Sequence, residues 1–194
     1  LGALTVQVGL GNLVGRRLVR RRSPNPVLSP QLAELVEEVS FPTPDGLTLQ
    51  GWFLPAASAA DAIVVCHGHG QSRTETLGLG LKLQSLGHNV LLFDFRAHGR
   101  SDGDHKSLGP WGILGPEGVS DLAVAVGYLL SRSGIDPERI GGLGISMGAA
   151  VLIVAAAQLG GIKAVVADSG YARLEGIVSF WLRNFLDRNY LGDL

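Results

Sequence analysis

The segment from Arg139 to Gln158 constrains the fold more than any other part of the chain. The short apolar run Ile140–Ile145 predicts a buried strand, and the small and apolar residues that follow Ser146 predict a helix. A serine at so sharp a strand-to-helix turn has a strained backbone, and its neighbours two positions away on each side must be small. Gly144 and Gly148 occupy those two positions.

This turn predicts a nucleophile. The serine hydroxyl would stand clear of the sheet, and the N–H of Met147 and the helix N-terminus would face any negative charge forming beside it. Two other interpretations remain open. The segment Gly142–Gly148 also reads as G-x-G-x-x-x-G, the phosphate loop of a nucleotide-binding oxidoreductase. Alternatively, the turn serves only packing, and the protein is a non-catalytic scaffold.

Size and composition indicate one globular domain. The chain has 194 residues, of which 46% are hydrophobic and 17% charged. Its formal net charge of -1 argues against a nucleic-acid partner. The single cysteine, Cys66, excludes an internal disulfide and is expected to pack as a small hydrophobe. Since no cluster has metal-ligand spacing, we expect neither a metal nor another cofactor.

Buried strands alternate with helices along the chain. The predicted strands are Val39–Pro42, Leu47–Pro55, Ala62–Cys66, Asn89–Phe95, Ile140–Ile145 and Ile162–Ala167, the first two joined as a hairpin at Pro44–Gly46. The predicted helices are Thr74–Leu86, Pro116–Ser131, Met147–Gln158 and Arg173–Arg188. This order predicts an α/β fold with a mostly parallel sheet and helices on both faces. Ligands of such sheets bind beyond the carboxyl ends of the strands, where the polar loops of this chain lie.

The sequence predicts that the chain is divided into three segments. Residues 1–34 form an N-terminal arm or the remnant of a membrane anchor, residues 35–172 the core, and residues 173–194 the start of a lid helix. The apolar stretch 1–14 is shorter than the roughly 20 residues that span a bilayer. With the arginines that follow, residues 1–22 offer a possible membrane contact. Both a cytoplasmic protein and an anchored one with its catalytic domain in the cytoplasm fit this pattern.

Four motifs occur in a fixed order: His67-Gly-His-Gly-Gln-Ser72, Asp94-Phe-Arg-Ala-His-Gly-Arg-Ser101, Gly144-Ile-Ser-Met-Gly148 and Asp168-Ser169. Over about residues 35–171 the chain resembles the α/β-hydrolase superfamily, and within it the serine-hydrolase branch that often carries an N-terminal membrane anchor. The resemblance implies a serine esterase or thioesterase that acts on a small-molecule acyl ester without a cofactor. It implies Ser146 as nucleophile and the backbone N–H groups of His69 and Met147 as oxyanion hole. The second motif corresponds to a structural loop.

The chain departs from this family pattern in one respect. The family's acid and histidine follow the nucleophile, whereas the five histidines here all precede Ser146; they are His67, His69, His88, His98 and His105. His98 and His105 lie on polar loops that could face the site, and Asp168 is either an acid or a partner of nearby loop N–H groups. The simplest expectation is a C-terminally truncated copy whose acid and base lie in the missing part. Such a chain would be weakly active or inactive alone.

Overall fold

The computed structural model describes residues 28–104, 106–107 and 115–170 of the chain. Its strands are β1 (Glu37–Pro42), β2 (Thr48–Leu54), β3 (Ala62–Cys66), β4 (Asn89–Phe93), β5 (Ile140–Ile145) and β6 (Ala164–Asp168). Its helices are α1 (Pro30–Ala33), α2 (Leu77–Ser85), α3 (Pro116–Ser131) and α4 (Met147–Leu159), with a 3₁₀ turn at Pro137–Arg139. The alternation of strands and helices agrees with the sequence prediction.

All six strands form one sheet in the order β1-β2-β4-β3-β5-β6. The pairs β1–β2 and β2–β4 are antiparallel, and the other three pairs are parallel. The mostly parallel α/β sheet is therefore confirmed, with the hairpin making it mixed. The parallel register places Cys66 opposite Gly144 and Ile145 opposite Asp168. The carboxyl ends of β3, β5 and β6 consequently lie side by side.

The hairpin turn forms where Pro44–Gly46 predicts it. The Thr43 N–H donates to the Leu47 carbonyl at 2.8 Å, and Gly46 has a φ of +86°. A residue with a side chain rarely adopts that angle, so glycine suits the position.

Hydrophobic clusters cover both faces of the sheet. On one face α3 and α4 pack against strand residues such as Val64, Cys66 and Phe93. On the other face α2 packs against residues such as Trp52, Val65 and Leu92. Helices on both faces were predicted, and so was the burial of Cys66, which has no exposed surface. Burial also raises the pKa of the Cys66 thiol far above its ordinary value, so the thiol is unreactive.

The last described strand differs from the prediction. Sequence analysis gave a buried strand at Ile162–Ala167, whereas β6 runs from Ala164 to Asp168 and all five of its residues are exposed. The prediction of burial was wrong because β6 is an edge strand that pairs with β5 alone, and the contact with α4 leaves all five of its residues exposed. Val166, an apolar residue typical of a sheet interior, is 58% exposed as a result.

One further strand and one helix are shorter than predicted. Strand β4 ends at Phe93 rather than Phe95, because the Phe95 N–H donates to the His67 ring at 3.2 Å instead of to a neighbouring strand. Helix α2 begins at Leu77, and the residues from Thr74 to Thr76 form a turn before it. Gly87 follows the helix with a φ of +96°, which fits its predicted role in ending it.

Parts of the sequence prediction fall outside the described residues. They include residues 1–22 with their possible membrane contact, His105, and the expected lid helix Arg173–Arg188. Leu28 packs with the α2-side cluster, so the end of the predicted arm lies on the sheet. Among the residues that the structure describes, none of the helices has the length and apolar character needed to cross a membrane.

Candidate active site

Ser146 occupies a one-residue turn between β5 and α4. Its φ of 50° and ψ of -111° are strained for a residue with a side chain. Two backbone hydrogen bonds hold this turn: the Ser146 N–H donates to the Asp168 carbonyl at 2.8 Å, and the Ser146 carbonyl accepts from the Ala150 N–H at 3.1 Å. The end of β6 and the first turn of α4 therefore fix the serine in place.

The two glycines of the motif lie where no side chain fits. A Cβ on Gly144 would lie 2.6 Å from the backbone nitrogen of Ala149. A Cβ on Gly148 would lie 2.7 Å from the carbonyl oxygen of His67 and closer still to that of Cys66. Because both residues are glycines, the start of α4 can lie directly against β5 and the end of β3. The strained serine, the helix N-terminus and the loop after β3 are thereby brought together.

The same contacts bear on the phosphate-loop interpretation. A Cβ on Gly142 would lie 3.1 Å from Cδ2 of Leu152 and closer to its Cδ1. Backbone packing thus accounts for Gly144 and Gly148, whereas a Cβ on Gly142 would meet only the flexible side chain of Leu152. No feature of this geometry favours a nucleotide phosphate.

The candidate oxyanion loop, residues 67–70, follows β3. Its His67 carbonyl lies against Gly148 at the start of α4, so the loop borders the Met147 end of that helix. The Gly68 N–H donates to Glu75 Oε2 at 2.8 Å, and Gly70 has a φ of +70°. His69 is exposed, whereas Met147 is buried. The topology therefore brings the two predicted oxyanion donors to the same end of the sheet as Ser146.

A buried ion pair joins this region to the loop after β4. Asp94 Oδ1 accepts from the Arg73 N–H at 2.6 Å, and Oδ2 accepts from Arg73 Nη1 at 3.1 Å and from the Arg100 N–H at 2.9 Å. Burial raises the pKa of Asp94, while the Arg73 guanidinium and these N–H donors oppose the rise. The Arg73 guanidinium also lies 4.5 Å from the centre of the Trp52 ring.

A second ion-pair network fixes the rest of that loop. The Arg96 guanidinium, 1% exposed, lies 2.8 Å from Asp121 Oδ1 on α3 and 2.8 Å from Asp45 Oδ2 in the hairpin turn. The Arg96 N–H also donates to Asp121 Oδ2 at 2.9 Å. Arg96 thus joins three separate parts of the chain. These contacts fit the structural role that the family resemblance implies for the second motif.

Hydrogen bonds define the protonation state of His67. Its Nδ1 lies 2.8 Å from the Gly68 carbonyl, which only accepts, and its Nε2 lies 3.2 Å from the Phe95 N–H, which only donates. The ring is therefore neutral, with its proton on Nδ1. Burial lowers the pKa of His67 to about 4, in agreement with this assignment. Neither nitrogen is available to take a proton from Ser146.

The other histidines of the described chain have different surroundings. His98 is buried, and its Nδ1 lies 2.9 Å from the Arg96 carbonyl. His88 Nδ1 lies 2.7 Å from Asp61 Oδ2 near the opposite ends of the strands. Although the rings of His67, His69 and His98 approach one another, no group of three or more ligating side chains suited to a metal ion occurs among the described residues.

Asp168 lies at the end of β6, directly beside the elbow. Its carbonyl accepts from the Ser146 N–H, and its carboxylate accepts from the Ser169 hydroxyl at 2.9 Å. Ser169 itself has a φ of +53°. Asp168 thus supports the elbow through its backbone, a contact that follows from the β5–β6 register and that the sequence pattern did not predict.

Comparison with known proteins identifies the family. The model of the family described as serine aminopeptidase, S33, matches residues 57–186, which include the elbow and both ion-paired loops. The chain belongs to the serine aminopeptidase S33 family. The α/β-hydrolase resemblance and fold predicted from the motifs are confirmed. The membrane anchor of the similar branch remains a prediction.

Relatives of this S33-family chain include named hydrolases. The esterase Pf2001 of Pyrococcus furiosus has a TM-score of 0.67 and 30% identity, covering 86% of this chain and 66% of its own. The thiohydrolase apmlB of Arthrinium phaeospermum is 34% identical over 69% of this chain and 42% of its own. An uncharacterized protein of Mycobacterium tuberculosis is 34% identical over 74% of this chain and 49% of its own. The chain spans about half the length of the curated relatives it matches.

Proposed function

We propose that this protein is a serine hydrolase that cleaves carboxylic ester or thioester bonds through an acyl-enzyme on Ser146. The observation that carries the proposal is the strained Ser146 backbone, with φ 50° and ψ -111°, held between two glycines that cannot accept a Cβ. Packing maintains such strain mainly at functional positions. The names of two relatives, an esterase and a thiohydrolase, support these two bond types.

The proposed reaction has two steps. Ser146 Oγ loses its proton to a base and attacks the acyl carbon, so that the carbonyl oxygen becomes an oxyanion. The N–H groups of His69 and Met147 donate to this oxyanion, and the alcohol or thiol leaves with a proton. Water then attacks the acyl-serine ester, releasing the acid and restoring the hydroxyl. One oxyanion donor contributes about 2.7–4 kcal/mol of transition-state stabilisation.

The base is not assigned to a residue of this chain. No histidine follows Ser146, and the ring nitrogens of His67 are both hydrogen-bonded. His98 is buried, with its Nδ1 on a backbone carbonyl. We therefore expect the chain of 194 residues alone to turn over esters slowly or not at all.

A fluorophosphonate probe tests the nucleophile. It should phosphonylate Ser146 over hours, as located by peptide mass spectrometry, and Ser146→Ala should abolish the label. Ser131→Ala is the matched control, because Ser131 is an exposed serine on α3 whose hydroxyl bonds only within its own helix. Labelling of this control at the wild-type rate is expected.

Two outcomes would change the proposal. Absence of label at Ser146, both in this chain and in a longer form of the same reading frame, would favour the non-catalytic scaffold. Rapid hydrolysis of p-nitrophenyl acetate by the chain of 194 residues, abolished by Ser146→Ala, would instead refute the expectation of weak activity. A histidine of this chain, such as His98 or His105, would then have to be the base.

A further inference from the structure

His98 lies between the loop after β4 and the candidate oxyanion loop. Its ring centre is 5.1 Å from that of His67 and 5.9 Å from that of His69. Its Nδ1 donates to the Arg96 carbonyl, in the loop that the Arg96 ion pairs hold rigid. The side chain is 4% exposed. The His98 ring therefore contacts His67 and His69 of the candidate oxyanion loop while it is bonded to the loop after β4.

The surroundings of His98 favour a neutral ring. Its Nδ1 donates to the Arg96 carbonyl, while Nε2 is buried and has no hydrogen-bond partner among the described residues, so a proton on Nε2 would have no acceptor there. The titratable groups that face the ring are His67 and His69 from the loop after β3, and Asp94 from the end of β4. Burial, followed by the nearby His67, lowers the pKa of His98 to about 4, although Asp94 opposes this.

We infer that His98 is a positioning residue for the candidate oxyanion loop, whose neutral ring packs against His67 and His69 and so fixes the direction of the His69 N–H. This inference rests on the proposed function of that N–H as an oxyanion donor. His67 is bonded to the Gly68 carbonyl and to the Phe95 N–H, so a shift of its ring would move the loop backbone as well.

Removal and protonation of the ring should have related effects. Without the His98 ring, the His67 and His69 rings lose the aromatic contact that lies between them and the loop after β4. With a second proton, Nε2 would become a buried donor without an acceptor, beside two other imidazoles. In both cases we expect the loop to leave its position before the domain unfolds.

The test compares His98→Ala, His98→Phe and the control His88→Gln with the wild-type chain. Phenylalanine keeps an aromatic ring of similar shape but has no titratable nitrogen. His88 is a partly exposed histidine whose partner is Asp61, far from the loop. Two readouts are measured from pH 7.5 to 4.5: the rate of Ser146 phosphonylation, and the amide chemical shifts of residues 67–70 by NMR. Circular dichroism identifies conditions in which each variant remains folded.

The expected results separate this inference from the proposed function. His98→Ala should label at least tenfold more slowly and shift the amide signals of residues 67–70, whereas His98→Phe should restore most of both. The shifts of residues 67–70 should change more below about pH 5 in the wild type than in His98→Phe, in which the titration of His67 remains but that of His98 is absent. Unshifted loop amides in a folded His98→Ala, or no rescue by His98→Phe, would overturn the inference. Absence of label both in the wild-type chain and in a longer form of it would refute the proposed function, and the amide shifts would still decide the role of His98.

Discussion

Replacing Gly148 by alanine tests the packing that holds the elbow. A Cβ at this position would lie 2.6 Å from the carbonyl carbon of Cys66 and 2.7 Å from the carbonyl oxygen of His67. Both atoms belong to the backbone at the end of β3, so neither can rotate away as a side chain can. Helix α4 would have to move away from the sheet, and Met147 and Ser146 would move with it.

The magnitude follows from two opposing effects. Overpacking a core costs about 1–3 kcal/mol, and a contact with fixed backbone belongs at the upper end of that range. Alanine in place of a helical glycine gains at most about 1 kcal/mol. We therefore expect Gly148→Ala to lower the free energy of unfolding by about 2 kcal/mol.

Gly127→Ala is the matched control. Gly127 lies within α3, and a Cβ there would meet no atom within 4 Å. This variant should be more stable than wild type by up to about 1 kcal/mol. The difference between the two alanine variants should be about 3 kcal/mol, measured by urea unfolding followed through tryptophan fluorescence, which reports on the buried Trp52. If Gly148→Ala is as stable as Gly127→Ala, the proposed close packing of the elbow is wrong.

Three further predictions concern other parts of the chain. Arg96→Ala should lower the free energy of unfolding by about 3–5 kcal/mol, because the Asp121 carboxylate then stays buried without its cationic partner. A midpoint of urea unfolding equal to that of the wild type would contradict this prediction. Because the pKa of His67 is lowered to about 4 in the folded chain, the unfolded chain binds a proton at higher pH than the folded chain does. The free energy of unfolding should therefore fall as the pH drops from about 6.5 towards 4, by up to about 1.4 kcal/mol per pH unit for this residue. Unfolding midpoints that stay constant over that range would refute the assignment of a buried neutral ring. Val166→Thr should change the free energy of unfolding by less than about 0.5 kcal/mol, because Val166 is exposed. Val64→Thr, at a position with no exposed surface, should lower it by about 1–3 kcal/mol. Equal effects of the two variants would mean that β6 is covered in solution.

Local patterns in the sequence predicted much of the architecture. The bounds of β3, β5 and α3 agree with their apolar runs and helix signals residue by residue. Gly144 and Gly148 predicted a close strand-to-helix turn, and the structure has that turn at Ser146. These features depend on neighbours within a few positions in the chain, so periodicity and residue size suffice to predict them.

The polar interior could not be predicted in the same way. Arg96 meets partners 51 positions before it and 25 positions after it, at Asp45 and Asp121. One signal was available: Asp121 lies within an otherwise apolar helical pattern, where a buried charge needs a partner. Its partner could be identified only after the strand order had placed the loop after β4 beside α3.

The sequence by itself determined the order of elements, the serine at the turn and the small residues around it, because these are set by local sterics and by the alternation of apolar residues. The tertiary structure alone decided which residues of these loops contact one another at the carboxyl ends of the strands. It brought His98 to His67 and His69 because β3 and β4 are adjacent, and Asp168 to Ser146 because β5 and β6 pair in a fixed register. It also left Val166 exposed, because the burial of a strand depends on what packs beside it rather than on its own composition.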